Sequence, residues 1–204
     1  MEGSLNVATL NVQGLASKRK QSQVYRIFID QDIDVLAVQE TKVDGEEETE
    51  GMVRRFTSSY YASVSHAVGT SAGCVLPAKK LPGLEIQAVT ACLSGRLVVC
   101  DYQCNSVEYR IICMCAPNAL EARLYFFDSL KQHLNTERRL MLLGDFNCVL
   151  SSRDKASETT YIDASTSLLA EIVDEFGLID LGECLEGTRD VIHTFSGVQP
   201  TTAR

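Results

Sequence analysis

An acid and an amide two positions apart, Asp145 and Asn147, stand at the end of the run LMLLGDFNCVL, residues 140–150. Its four leading apolar residues read as a buried strand, which then turns polar at Gly144-Asp145-Phe146-Asn147. In an extended chain, positions i and i+2 point to the same side, so Asp145 and Asn147 are expected to face one spot. Taken alone, the same four residues also spell a turn, because Gly, Asp and Asn are the commonest turn formers. Three more strand-like runs end in polar residues. Asn11 follows VATL, Glu40 follows VLAVQ, and Asn118 closes CAPN after YRIICM. Each of these, taken singly, also reads as a turn residue, an Asx cap or a solvated strand end. Buried polar groups are costly without partners, so the same kind of junction met four times points to strand ends converging on a shared site.

The overall charge does not exclude an enzyme whose acids hold a divalent cation against a phosphate. The chain has 19 basic and 27 acidic residues, a net charge of −8, which argues against a module that holds nucleic acid by its basic surface alone. The basic runs Lys18-Arg19-Lys20, Arg54-Arg55, Lys79-Lys80 and Arg138-Arg139 read as solvated loops or helix ends, with phosphate contacts as the alternative. Arg96, after Gly95 at the start of a strand, reads as a surface arginine, with a salt bridge near the site as the alternative; His66 and His133 read as surface residues.

The elements that must position these residues follow from periodicity. LNVATLNV alternates as a strand, and KRKQSQVYRIFIDQ places Val24, Ile27 and Phe28 on one helical face. IDVLAVQE reads as a buried strand and TKVDGEEETEG as an exposed acidic loop. Strands are then expected at YYASVSH, AGCVL, LEIQAVT, GRLVVCDYQ and EYRIICMC, punctuated by Pro77, Pro82, Gly83, Gly95 and Asn105. LEARLYFFDSLKQHL reads as a helix. A second is expected at STSLLAEIVDEFGL, capped by Ser165 or Thr166 and stopped by Gly177. The expectation is one α/β domain over residues 1–204, with strands as the majority element.

Eight cysteines occur without a C-x-x-C pair or a histidine at zinc-finger spacing, which argues against structural zinc. Most lie in apolar runs and read as reduced core thiols of an intracellular protein, nuclear or cytoplasmic. The start, MEGSLNVATL, has no basic region of a secretory signal, and no apolar run nears the ~20 residues a membrane span needs.

In order and over this span, TLNVQGL, LAVQETK, APN and GDFN resemble the endonuclease/exonuclease/phosphatase superfamily. In particular they resemble the apurinic/apyrimidinic-type endonuclease domain of non-LTR (LINE-type) retrotransposons, where an SLLAEIVDEFGLIDL-like helix and an HTF strand follow. The resemblance implies a four-layer α/β/β/α sandwich with the site at one end of two packed sheets. It implies that Glu40 ligates Mg²⁺ (Mn²⁺ being the alternative ion), and that Asn11 ligates the same ion or touches the phosphate. Asp145 would orient or deprotonate the attacking water, Asn147 would hydrogen-bond a phosphate oxygen, and Asn118 would contact the nucleic-acid backbone. DNA is the implied substrate, with a reverse transcriptase in the same polyprotein.

Two positions depart from that pattern. Cys115 stands where family members carry a tyrosine, replacing a phenol by a weak S–H donor. The chain also ends at HTFSGVQPTTAR, before the family's Arg-hydrophobic-Asp strand and Ser-Asp-His motif, so it is expected to lack the C-terminal strands and their His-Asp pair and, as it stands, to be a poor enzyme. His193 is not a substitute by position, and Arg204 matches the arginine before the first missing aspartate. The rival expectations are a catalytically impaired remnant of the same fold, or a phosphoinositide-phosphatase-like hydrolase.

Overall fold

The computed structural model describes residues 5–54, 59–150 and 163–181. The chain divides into two compact units, Met1–Pro117 with Gln132–Asn147 and Asn118–Lys131 with Cys148–Arg204. In the larger unit, strands β1 (Val7–Asn11), β2 (Val35–Gln39), β3 (Tyr60–Ser65) and β4 (Cys74–Lys79) form one sheet in the order β1-β2-β4-β3. Strands β5 (Leu84–Cys92), β6 (Leu97–Cys104), β7 (Val107–Cys115) and β8 (Arg139–Asp145) form a second sheet in sequence order. Helices α1 (Lys18–Asp30) and α2 (Glu46–Val53) belong to the same unit. The pairs β1–β2 and β7–β8 are parallel and the others antiparallel.

The continuous apolar run of β2 is explained by burial on both faces. Leu36 and Val38 join Val24 and Phe28 of α1 and Met52 and Val53 of α2 in one core. Val35 and Ala37 point the other way, into a second core with Val98, Cys100 and Tyr102 of β6 and Ile111 and Cys113 of β7. The two sheets are therefore packed face to face, with α1 and α2 on the outer face of the first. Each fully buried side chain of this size contributes about 1.5–3 kcal/mol.

Helix α1 begins at Ser17, whose hydroxyl accepts from the Lys20 amide. Its buried stripe is Gln21, Val24 and Phe28, whereas Ile27 is 44% exposed. Gln21 is tolerated inside because its amide donates to the Leu15 carbonyl at 2.9 Å. The acidic stretch expected as a loop is helix α2. Glu46, Glu47 and Glu48 occupy its first turn, where the helix dipole favours anions, while Thr49, Met52 and Val53 are buried. Pro77, expected between strands, lies within β4 opposite Ala62.

Gly144, in β8, has φ +145°, and a Cβ built there would stand 1.9 Å from the Met114 carbonyl oxygen. That oxygen belongs to neighbouring backbone and cannot rotate away. Gly144→Ala is therefore expected to lower the unfolding free energy by about 2–3 kcal/mol, measurable by urea denaturation. An unchanged midpoint would show that β8 shifts freely.

The smaller unit holds most of helix α3 (Leu120–Leu134) and all of α4 (Ala164–Glu175). The α4 cap is Asp163 rather than Ser165 or Thr166, which lie buried in its first turn. Asp163 accepts from the Ser165 amide at 2.9 Å, and Gly177, at φ +59°, follows the C-cap Phe176. The buried Arg123 of α3 donates Nη2 to Asp163 at 2.6 Å, Nε to Ser165 Oγ at 2.8 Å and Nη1 to the Asn118 carbonyl at 2.6 Å. Burial pushes the Asp163 carboxyl up, but hydrogen bonds from Ser165 and the Arg123 charge outweigh it and hold it below the ordinary 3.8.

A carboxyl depressed in the folded state stabilises fully above its unfolded pKa and loses that contribution as pH falls through the folded value. Slow hydrogen exchange of the Ser165 amide is thus expected to persist down to about pH 4 and to fail below it. Asp163→Asn should remove that acid step. Loosening that sets in at pH 5–6 would contradict the assignment.

The chain is thus a mixed α/β protein with two sheets and four helices among the described residues. The expected HTF strand, Cys184, His193 and Arg204 lie outside them.

Candidate functional site

Parallel pairing brings the carboxyl ends of β1 and β2 out together, with Asn11 opposite Gln39 and Glu40 next in line. The same parallel arrangement in the second sheet sets Asp145 opposite Cys115. One side chain joins the two sheets at this end. Asn11 Nδ2 donates to Glu40 Oε1 at 3.1 Å and to Asp145 Oδ2 at 2.7 Å. Three of the sequence-predicted residues therefore meet in space, although 134 positions separate Asn11 from Asp145.

Local backbone fixes each of them. Asn11 Oδ1 accepts from the Gln13 amide at 3.0 Å, which orients the side-chain nitrogen toward both acids. Beyond Asn11, Gly14 and Leu15 donate to the Glu40 and Thr41 carbonyls at 2.6 and 2.7 Å, lacing one strand-end loop to the other. Gln13, Glu40, Lys42 and Asn147 all hold left-handed backbone, with φ of +48°, +56°, +53° and +49°. Such conformations cost non-glycine residues of order 1–3 kcal/mol and cluster at functional sites.

Asp145 and Asn147 meet by a different route from the one expected. Strand β8 ends at Asp145, and an Asx turn follows in which Asp145 Oδ1 accepts from the Asn147 amide at 3.0 Å. GDFN is thus a turn, and one that holds the Asp145 carboxylate beside Asn11. Asn147 Nδ2 donates to the Ala116 carbonyl at 2.7 Å, and the Ala116 amide donates to the Asp145 carbonyl at 2.8 Å. Asn118 is exposed and lies in the smaller unit, where its carbonyl accepts from Arg123.

Lys42 and Gln39 were not foreseen from the sequence. Lys42 Nζ lies 3.0 Å from Glu40 Oε2. Burial pushes the Glu40 carboxyl up, but the hydrogen bonds from Asn11 and Lys42 and the charges of Lys42 and Arg96 hold it below its usual range. The spacing in Gln39-Glu40-Thr41-Lys42 was the available signal, since a cation two residues from an acid at a strand end can fold back on it. Gln39 is buried, accepting from Thr9 Oγ1 at 3.2 Å and donating to Cys113 Sγ at 3.3 Å. It ties Glu40's strand into the inter-sheet core.

Cys115, at the position of the family's tyrosine, turns its thiol into that core and is 2% exposed. Burial, then the neighbouring Asp145 charge, pushes its pKa up to about 12, so it stays a neutral thiol. Cys74, Cys100 and Cys113 are likewise buried and unbridged, as expected of core thiols. His66 is exposed as expected, whereas His133 is half-buried beside Cys92, at 3.6 Å.

A family model described as Endonuclease/Exonuclease/phosphatase family matches residues 8–194. A transposon TX1 protein of 149 kDa from Xenopus laevis is 26% identical over 181 residues, covering 87% of this chain but only 14% of that protein. Among solved structures, an AP endonuclease from Archaeoglobus fulgidus superposes with a TM-score of 0.73 at 17% identity, over 98% of this chain and 80% of the other. The endonuclease domain of TRAS1, a telomere-specific non-LTR retrotransposon, gives 0.61 at 16% identity, over 85% and 71% of the two chains. At these identities the superpositions establish a shared fold, and the family model covers nearly the whole sequence. The chain belongs to the Endonuclease/Exonuclease/phosphatase family.

Proposed function

We propose that this chain is a Mg²⁺-dependent phosphodiesterase domain that nicks DNA within a retrotransposon-type polyprotein. The observation that carries the reading is the Asn11 amide bridging the Glu40 and Asp145 carboxylates, which keeps two acids side by side at the mouth of two sheets. Mg²⁺ characteristically binds through one or two carboxylates, keeping its waters and phosphate oxygens. Glu40 and Asp145 fit that demand. Among the described residues no group of three or more His, Cys, Asp or Glu gathers, as a caged metal would need.

Glu40 would hold the ion, with Asn11 beside it. When bound, Mg²⁺ supplies neutralising charge for the phosphate oxygens and acidifies a ligated water. Asp145, its carboxylate fixed by Asn11 and by the Asn147 amide, orients the attacking water and accepts its proton. Asn147 retains one side-chain N–H beyond the one given to Ala116, and this donates to a phosphate oxygen as negative charge develops. Asn118, exposed, is available to the nucleic-acid backbone. Similarity to a 149 kDa transposon protein and to a retrotransposon endonuclease domain supports DNA as the substrate and a longer polyprotein as the context.

The test compares substrates. With Mg²⁺, the chain is expected to relax supercoiled plasmid while leaving inositol polyphosphates and p-nitrophenyl phosphate intact. Phosphate release from the monoesters without plasmid relaxation would replace the nuclease reading with a phosphatase.

A further inference from the structure

Arg96 differs in its partners from three other arginines of the described structure. Arg110 grips Asp101 through two nitrogens at 2.7 and 2.8 Å, Arg123 grips Asp163, and Arg138 lies within ion-pair distance of Asp101 and Glu108. Arg96 is held only by neutral oxygens. Its Nη1 donates to the Cys115 carbonyl at 3.1 Å and its Nη2 to Ser71 Oγ at 2.8 Å. Its own carbonyl accepts from the Cys115 amide at 2.9 Å, so Arg96 brackets Cys115 from both sides. Cys115 is the register partner of Asp145, which sets the guanidinium one ladder position from the proposed site.

The chain goes to some expense to place it there. Leu93, Ser94 and Gly95, just before it, are all left-handed, at φ +55°, +54° and +80°. A Cβ on Gly95 would stand 1.9 Å from the His66 carbonyl oxygen, so the turn is drawn tightly against the loop that carries Ser71. A guanidinium has five N–H donors in a planar fork suited to phosphate, and only two are used here. Glu40 and Asp145 repel a phosphodiester, and the other nearby cation, Lys42, is already committed to Glu40. Cys115, with its thiol in the core, cannot donate to the phosphate.

Resting on the nuclease reading above, we infer that Arg96 is a substrate-binding residue, its guanidinium donating to a non-bridging oxygen of the scissile phosphodiester. It supplies the donor that a side chain at position 115 does not. It also offsets the charge of the two acids without binding either of them.

The experiment measures plasmid nicking in Mg²⁺ by the chain and by Arg96→Met and Arg96→Lys, with thermal midpoints and added guanidinium ion. Arg96→Met is expected to lose about 10²-fold in kcat, to regain part of that loss with millimolar guanidinium, and to keep its midpoint within a few degrees. Arg96→Lys should stay impaired, because an ammonium cannot reproduce the fork. Unchanged kcat in Arg96→Met overturns the inference. So does a loss that tracks a falling midpoint and resists guanidinium, since Arg96 would then only brace the loop. A wild-type chain that does not nick at all overturns the nuclease reading and the inference together.

Discussion

Glu40→Ala is expected to lower Mg²⁺-dependent nicking by about 10³-fold or more, corresponding to loss of several kcal/mol of charge stabilisation. The fold should survive. Glu40 lies past the end of β2, and among the described residues its side chain meets Asn11 by hydrogen bond and Lys42 by ion pair. Removing it also relieves repulsion with Asp145, so a change in unfolding free energy of about 1 kcal/mol or less is expected. The check is twofold: plasmid relaxation, and binding of Mn²⁺ followed by loss of the free-ion paramagnetic signal. Wild-type nicking in the variant would remove Glu40 from the metal site.

The second large effect is expected at the turn after β8. Asp145→Asn should cost roughly 10²–10³-fold in kcat, because the group that takes the proton from water is neutralised and one of the two hydrogen bonds it accepts, from Asn11 or from the Asn147 amide, loses its acceptor. Asn147→Ala should cost a similar factor through loss of a donor. It should also destabilise the turn by about 1 kcal/mol, since alanine is strained at φ +49°. Asn147→Gly separates the two effects. It tolerates the left-handed backbone but lacks the amide and its bond to the Ala116 carbonyl, so it should be more stable than the alanine variant and nick as poorly. If Asn147→Gly nicks normally, the residue serves the turn alone.

How much of this was legible in the sequence depended on which interactions are local. Periodicity located every described strand and the three helices α1, α3 and α4, and β2, β6 and β7 are covered on the faces their apolar residues require. The acidic stretch was misread because charge was taken as a sign of solvation. Three glutamates in a first helical turn are instead helix-favouring, and the buried Thr49, Met52 and Val53 supply the packing. Ile27 and Gln21 exchanged roles for a tertiary reason: the carbonyls of the loop before α1 offer Gln21 a partner inside.

At the candidate site, residue types at strand ends pointed to Asn11, Glu40, Asp145, Asn147 and Asn118, and parallel pairing brings all but Asn118 to one end of the two sheets. The manner of their meeting was not readable. Nothing local to Asn11 announces a bond to a carboxylate 134 residues away, and nothing local to Arg96 announces that the Cys115 carbonyl and Ser71, rather than an acid, accept its hydrogen bonds.

The most direct test of the central claim is cleavage of covalently closed supercoiled plasmid by the 204-residue chain, in Mg²⁺ and in EDTA, beside the double variant Glu40→Ala/Asp145→Asn prepared identically. The account predicts open-circular product from the wild-type chain in Mg²⁺ only, formed slowly because its 204 residues include no Ser-Asp-His motif, and none from the double variant. Nicking that persists in EDTA, or that the double variant performs at the wild-type rate, would contradict it.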